Sequence, residues 1–216
     1  MKKILTLIIL GIAAIAPATY AQEGAQESTK DWSEKVKKAE TYLQNLGTAQ
    51  ARFVQTTHNG TQLVGTFYLD RPGKLRFEYD DPIDDFVVAD GFFIYFYDAE
   101  LGEQTNAPIG QTLADFFLRE DLKLGGDLTV KDVRRAGEHI QITLSQTADP
   151  EAGTLLLGFK ENQDNGALTL NKWRIVDGQG LITEIELFHL KSGITHPKNL
   201  FTYRDPKAAK KRKVND

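Results

Sequence analysis

The chain alternates apolar and polar residues, with a period of two, in a succession of short segments after Gly47. Every second side chain of a β-strand lies on the same face, so this period predicts strands with one buried face. Clear examples are Leu63 to Leu69 and Leu75 to Tyr79. Asn59-Gly60 and Asp90-Gly91, which separate such segments, are typical of hairpin turns. Further strands are predicted at 86–89, 92–97, 127–135, 139–146, 153–160, 167–176 and 181–190.

Two segments do not follow the period of two. An apolar stripe with helical spacing predicts one amphipathic helix, with Asp31 as its N-cap and Gly47 as its stop. The stripe consists of Trp32, Val36, Ala39, Leu43 and Leu46. Residues 110–119 predict a second, short helix. The fold class expected is therefore mainly β with flanking helices: a half-open antiparallel β-barrel of roughly ten to eleven strands, formed as one meander, with a helical lid.

The first 21 residues have the three-part pattern of a cleavable signal peptide. Lys2 and Lys3 precede an apolar run, and small residues stand before the predicted cleavage site. An uncleaved anchor is the alternative interpretation. Residues 22–206 are expected to form a single domain. Loss of the two lysines takes the formal net charge from −4 to −6, and an acidic domain is a poor partner for nucleic acid.

Residues 207–216 form a basic tail that we expect to be disordered. An alternative is that this tail steers the protein to anionic lipid head groups.

The composition argues against catalysis. The chain has no cysteine, which excludes disulfides, a thiol nucleophile and a lipidated cysteine anchor. Its four histidines lack the spacing of metal ligands. No serine-nucleophile elbow and no phosphate-binding loop is present. We therefore expect no metal, no cofactor and no enzymatic activity.

The predicted strand at 92–97 is apolar or aromatic on both faces. Such a strand needs an apolar neighbour on each side. The sheet's own core can supply one neighbour, and the other can be a covering helix, a partner or a lipid. Ordinary packing of the two helices against this strand is the alternative to a lipid-binding role.

Several motifs occur in a fixed order between residues 53 and 104. Phe53-Val54-Gln55 is followed by Gly65, Arg71-Pro72, an aromatic strand, Asp90-Gly91 and Tyr95-Phe96-Tyr97. This order resembles that of the periplasmic outer-membrane lipoprotein carrier family (LolA). The chain departs from the family pattern in having Leu75 and Phe77 where the family has an aromatic residue and then tryptophan. Leu113 also stands where the family often has a proline.

The resemblance implies a periplasmic carrier, expected to be a monomer, that binds the acyl chains of lipoproteins. It implies loading from an inner-membrane lipoprotein-releasing ABC exporter and delivery to an outer-membrane acceptor. An envelope sensor or general lipid-binding module with the same half-barrel is the alternative. In the family, the arginine of the Arg-Pro pair bonds to the lid and keeps the empty state closed, a role that falls on Arg71. A surface arginine that opens a turn is the alternative for this residue.

A lipid cavity in this fold would be lined by aromatic and aliphatic residues of the strands and covered by the predicted second helix. The predicted walls are Phe67, Leu69, Leu75, Phe77, Tyr79, Phe93, Tyr95 and Tyr97, and the predicted cover is Phe116 and Phe117. In strand 92–97 the odd-numbered residues are assigned to the cavity by parity with Phe67 and Phe77, an assignment that the hairpin register can invert.

Overall fold

The computed structural model describes residues 29–110 and 116–207. The predicted signal peptide lies outside the described residues. So do Leu113 and all of the predicted basic tail beyond Lys207.

The first described element is a helix, α1, which spans Thr29–Asn45. Its apolar stripe faces the sheet, and Ala39 and Leu43 are almost completely buried. The helix was expected to begin after Asp31, and this prediction is wrong. Asp31 lies inside the first turn, where its carboxylate accepts a hydrogen bond from Lys35 at 2.8 Å.

Eleven strands follow the helix. All but one correspond to segments that the sequence predicted as strands, and the exception is the polar strand Glu103–Pro108, which was missed. The eleven strands are β1 (Thr48–Thr56), β2 (Gln62–Asp70), β3 (Lys74–Tyr79), β4 (Phe86–Asp90), β5 (Phe93–Asp98), β6 (Glu103–Pro108), β7 (Leu128–Ala136), β8 (His139–Gln146), β9 (Gly153–Glu161), β10 (Leu168–Asp177) and β11 (Ile182–Ser192).

All eleven strands form one antiparallel sheet in the order β6-β5-β4-β3-β2-β1-β11-β10-β9-β8-β7. The chain is therefore not the single meander that was expected. Two meanders, β1 to β6 and β7 to β11, are joined where β1 pairs with β11. Strands β6 and β7 are the two edges of the sheet, so the barrel is open. The mainly β class and the half-open architecture are confirmed.

The turns explain how neighbouring strands keep their register. In the β1–β2 connection, the Thr57 amide donates to the Thr61 carbonyl at 3.0 Å, and the Gly60 amide donates to the Thr57 carbonyl at 2.9 Å. Gly60 has a φ of 83°, a conformation that glycine adopts without strain. The loop thus has three residues, 58–60, rather than the two that Asn59-Gly60 suggested.

The connection between the two edge strands covers the concave side of the sheet. Within it, a short 3-10 helix spans Phe116–Leu118, and all three of its residues are buried. Leu122 and Leu124 are buried as well. This 3-10 turn is the described part of the helix predicted over residues 110–119. Because these apolar side chains enter the same core as the α1 stripe, α1 and residues 116–124 together form the cover of the inner face.

Gly65 of β2 leaves room for the ring of Phe53, the aromatic side chain at the centre of the sheet. It pairs with Phe53 of β1 on one side and with Tyr79 of β3 on the other. A Cβ atom at Gly65 would overlap the Glu78 carbonyl oxygen and lie 2.6 Å from Phe53 Cε1. The Phe53 ring therefore occupies the space that a side chain at position 65 would fill.

We expect Gly65→Ala to destabilise the fold by about 1–3 kcal/mol, because the added methyl overpacks a closely filled site. Urea unfolding followed by circular dichroism measures the change. Gly47→Ala is the matched control, since no atom lies within 4 Å of its Cβ position, and it should shift stability by less than about 1 kcal/mol. Equal unfolding midpoints for the two variants would contradict the packing assigned to Phe53.

Candidate functional site

The first half of the sheet presents a continuous apolar wall on its inner face. Phe67 of β2 pairs with Phe77 of β3, and Leu69 pairs with Leu75. Residues that pair directly across antiparallel strands lie on the same face. The Phe67 and Phe77 rings are 5.0 Å apart between centroids. With Tyr79, which lies two residues beyond Phe77, five of the predicted wall residues thus share the inner face.

The assignment of Phe93, Tyr95 and Tyr97 to the inner face is wrong. Leu75 pairs with Ala89, and Ala89 pairs with Ile94. The even-numbered residues of β5 therefore share the inner face with the other wall residues.

The cause of this error is the turn between β4 and β5. Only Gly91 and Phe92 lie between the two strands, so each odd-numbered residue of β4 pairs with an even-numbered residue of β5. The turns before β3 and before β4 preserve parity, and this one inverts it. Asp90 holds the turn in place, because its carboxylate accepts hydrogen bonds from the Phe92 and Phe93 amides at 3.0 Å each.

The outer face of the first half is covered by the C-terminal segment, residues 193–207. The Tyr203 ring stacks on Tyr95 with centroids 4.8 Å apart. His196 Nε2 lies 3.0 Å from the Leu69 carbonyl oxygen, and Phe201 is buried. This segment explains why β5 is apolar on both faces: Tyr95 packs against the protein's own C-terminal segment.

Two aromatic residues that were not assigned to the wall are central to it. Trp173 of β10 lies 4.8 Å from Phe117 and 5.7 Å from Phe67, between ring centroids. Phe53 of β1 lies 5.1 Å from Phe77. The second half of the sheet adds an aliphatic wall that was also missed, although the period of two in its strands marks it. This wall consists of Ile142, Leu144, Leu155, Leu157, Ile185 and Leu187, all of which are buried.

A small set of polar contacts joins the two parts of the cover, α1 and residues 116–124, to each other and to the sheet. The Gln44 side-chain amide donates to the Leu122 carbonyl at 3.0 Å. The Glu40 carboxylate accepts a hydrogen bond from the Leu124 amide at 2.8 Å, and the Gly73 amide donates to the Leu118 carbonyl at 2.9 Å. Phe116 and Phe117, both predicted to belong to the cover, lie in its second part and are buried.

Arg71 joins the two parts of the cover to the sheet. Its Nη1 donates to the Leu43 carbonyl in the last turn of α1 at 2.5 Å, and its Nη2 donates to the Arg119 carbonyl at 2.7 Å. A planar guanidinium can satisfy several carbonyls at once. Burial lowers the pKa of Arg71 from its ordinary value, yet a guanidinium stays charged at neutral pH. The contacts with the cover that the family resemblance implies for Arg71 are therefore present.

The part of the chain that the structure describes contains no helix long and apolar enough to cross a membrane. Over the same residues, no group of three or more histidine, aspartate or glutamate side chains is placed to hold a metal ion.

Residues 44–204 match the sequence model of the family described as "Outer membrane lipoprotein carrier protein LolA". The chain belongs to this family. It is 27% identical over 210 residues to the outer-membrane lipoprotein carrier protein of Methylococcus capsulatus, with 93% of each chain covered. It is 25% identical over 215 residues to the protein of the same name from Pseudomonas aeruginosa strain UCBPP-PA14, with 95% of this chain and 96% of the relative covered. Among solved structures, a LolA superfamily protein from Nitrosomonas europaea covers 79% of this chain and 97% of its own, at 12% identity and a TM-score of 0.40.

In this LolA family member, the inner wall is not covered evenly along the strands. Leu69 and Leu75, beside the Arg71 turn, are almost completely buried. Phe77 and Tyr79, towards the opposite ends of the strands, are half-buried, and Phe96 is 44% exposed. The wall is therefore accessible at the end that lies away from Arg71.

We expect Arg71→Leu to leave the sheet folded but to loosen the cover, because two carbonyls lose a charged donor, each worth about 1.5–3 kcal/mol. Hydrogen exchange measured by mass spectrometry should show faster exchange in residues 116–124 and in the last turn of α1, with no change in β8 and β9.

Arg134→Leu is the control for this variant, because Arg134 is exposed and pairs only with Asp132 among the described residues. It should leave exchange in the cover unchanged. Parent-like protection of residues 116–124 in Arg71→Leu would show that Arg71 does not hold the cover.

Proposed function

We propose that this protein binds the acyl chains of lipoproteins in the space between its inner apolar wall and its cover. In this way it shuttles lipoproteins from the inner to the outer membrane. One observation supports this most directly. An apolar inner face, in a chain of the LolA family, lies under a cover that Arg71 ties down through two backbone carbonyls. Release of such a cover breaks a few polar contacts and separates apolar side chains that acyl chains can replace, without unpairing any strand.

The energetics of the cargo require such a site. Each methylene of an acyl chain gains about 0.8 kcal/mol when it leaves water, so a long chain is worth on the order of 10 kcal/mol. A lipoprotein released into an aqueous compartment would lose this free energy for every chain left exposed. A carrier therefore has to offer an apolar surface of its own, and binding alone, with no catalytic step, is sufficient for that purpose.

In the loaded state, we propose that the cover moves away from the wall and acyl chains take its place. The side chains that would be displaced are those of Phe116 and Phe117. Because the Phe117 ring lies 4.8 Å from Trp173, loading should change the surroundings of that indole. The inner members of β5, Ile94 and Phe96, replace Phe93, Tyr95 and Tyr97 in the proposed cavity wall.

We also propose the cellular setting that this role requires. The protein would act as a monomer in the periplasm, after removal of the predicted signal peptide. It would receive lipoproteins from an inner-membrane lipoprotein-releasing ABC exporter and pass them to an outer-membrane acceptor. The exporter would supply the free energy for loading, since the sequence has no phosphate-binding loop of its own.

Tryptophan fluorescence of a Trp32→Phe variant provides a direct test of loading, because Trp173 is then the only tryptophan left. We expect a triacylated lipopeptide to shift its emission and to displace an apolar dye from residues 22–216. A diacyl phospholipid should do so weakly. Equal effects of both lipids would instead favour a general lipid-binding or sensor module, and no dye binding would contradict a cavity.

We expect Arg71→Leu to bind the lipopeptide but to release it more slowly. Closure of the cover favours the empty state, and each loss of about 1.4 kcal/mol in the free energy of closure strengthens binding about ten-fold. Transfer of a fluorescent triacylated lipopeptide to vesicles measures the release rate, with Arg134→Leu as the matched control. Parent-like release by Arg71→Leu would show that Arg71 has no part in unloading.

A further inference from the structure

Two polar side chains lie together on the apolar inner wall, at its less covered end. The Tyr79 hydroxyl donates a hydrogen bond to Gln55 Oε1 at 2.8 Å. Tyr79 pairs with Gly65, and Gln55 pairs with Ile185 of β11. Since Gln55 follows Phe53 by two residues on β1, both side chains belong to the same face as the aromatic wall. A polar pair in this position is unusual, because the neighbouring positions on that face are mostly apolar.

The hydrogen bond between Tyr79 and Gln55 leaves the side-chain nitrogen of Gln55 free to donate to a ligand. A neutral tyrosine donates, which uses the oxygen of the Gln55 amide and leaves its nitrogen with two N–H donors. Burial, followed by the nearby charge of Asp85, raises the pKa of Tyr79 to about 12, so the phenol is neutral at physiological pH. Gln55 Nε2 has no hydrogen-bond partner within the described residues. The buried side-chain atoms without a partner do not include it, so this nitrogen is not fully buried. The amide nitrogen is therefore accessible.

We propose that the Gln55 amide, oriented by Tyr79, donates a hydrogen bond to an ester carbonyl of the cargo's diacylglyceryl group. This inference rests on the proposed function. If the acyl chains run along the wall towards the cover and Arg71, their junction with the peptide comes to lie at the open end, beside Gln55. A few placed polar groups in an otherwise apolar site fix the orientation of a ligand, and an ester carbonyl is an acceptor that an amide N–H can satisfy.

The charges around the pair favour a carbonyl over a phosphate. Tyr79 is followed directly by the β3–β4 turn, in which Asp81 and Asp84 are exposed. Asp80 is paired with Arg52, but Asp81, Asp84 and Asp85 have no ion-pair partner within the described residues. The charge of Asp85 acts on Tyr79 directly, since it helps to raise the pKa of the phenol. Like charges repel, so a phosphodiester at this end of the wall would be disfavoured. The site thus fits the uncharged ester junction of a lipoprotein better than the head group of a phospholipid.

The test compares a triacylated lipopeptide that has two glycerol esters with its diether analogue, which keeps the chain lengths but lacks both ester carbonyls. We expect the parent protein to bind the ester form about five-fold more tightly, the effect of one net hydrogen bond. Tyr79→Phe and Gln55→Leu should each abolish this preference while still binding the diether form like the parent. A purely structural role for the pair would weaken binding of both ligands equally.

Tyr97→Phe is the matched control, because it removes a hydroxyl from the outer face and should keep the five-fold preference. The inference is overturned if the parent binds both ligands equally, or if the preference survives in Gln55→Leu. Failure of the parent to bind either ligand would instead overturn the proposed function, and the inference with it.

Discussion

The pairing of β1 with β11 is the constraint on which the remaining architecture depends. It joins two meanders that would otherwise be separate sheets, and it places β1 at the centre of the sheet. Phe53, at that centre, is fully buried and pairs with Leu187 on one side and Gly65 on the other. The β1–β11 pairing also leaves β6 and β7 as the two edges of the sheet. The chain must pass from one edge to the other, and in a curved sheet this connection can cross the concave side. The cover is thus a consequence of the strand order.

The cover can act as a lid because its hydrogen bonds to the rest of the protein are few compared with those that join the strands of the sheet. Arg71 supplies two charged hydrogen bonds, worth a few kcal/mol in total. Burial of a single long acyl chain is worth on the order of 10 kcal/mol. Cargo can therefore offset the loss of the Arg71 hydrogen bonds, and acyl chains that take the place of Phe116 and Phe117 would also replace their apolar contacts with the wall. A much stronger attachment would prevent loading, and a much weaker one would leave an apolar wall exposed to water.

Most of the fold could be predicted because period-two alternation is a local property of each strand. The strands from β7 to β11 were expected within one or two residues of their actual bounds, and the contacts of Arg71 were anticipated. Which residues of β5 face inwards was not predicted correctly, because this depends on the number of residues in the preceding turn. The two-residue turn Gly91-Phe92 places the even-numbered residues of β5 on the inner face. The wall residues Phe53 and Trp173 were missed for a different reason. They lie on strands far apart in the chain, and only the β1–β11 pairing brings the two halves together.

The outer cover of β5 decides which side of the sheet can change on loading. Residues 193–207 are held against the outer face by stacked rings, such as Tyr203 on Tyr95, and by the buried Phe201. The inner face has a cover that combines buried apolar side chains, such as Phe116 and Phe117, with hydrogen bonds donated by Arg71 and Gln44 and one accepted by Glu40. Acyl chains that enter on the inner side would exchange one set of apolar contacts for another, so the ligand offsets the cost of opening there. We therefore expect the space for acyl chains to form on the inner side, where they would take the place of Phe116 and Phe117.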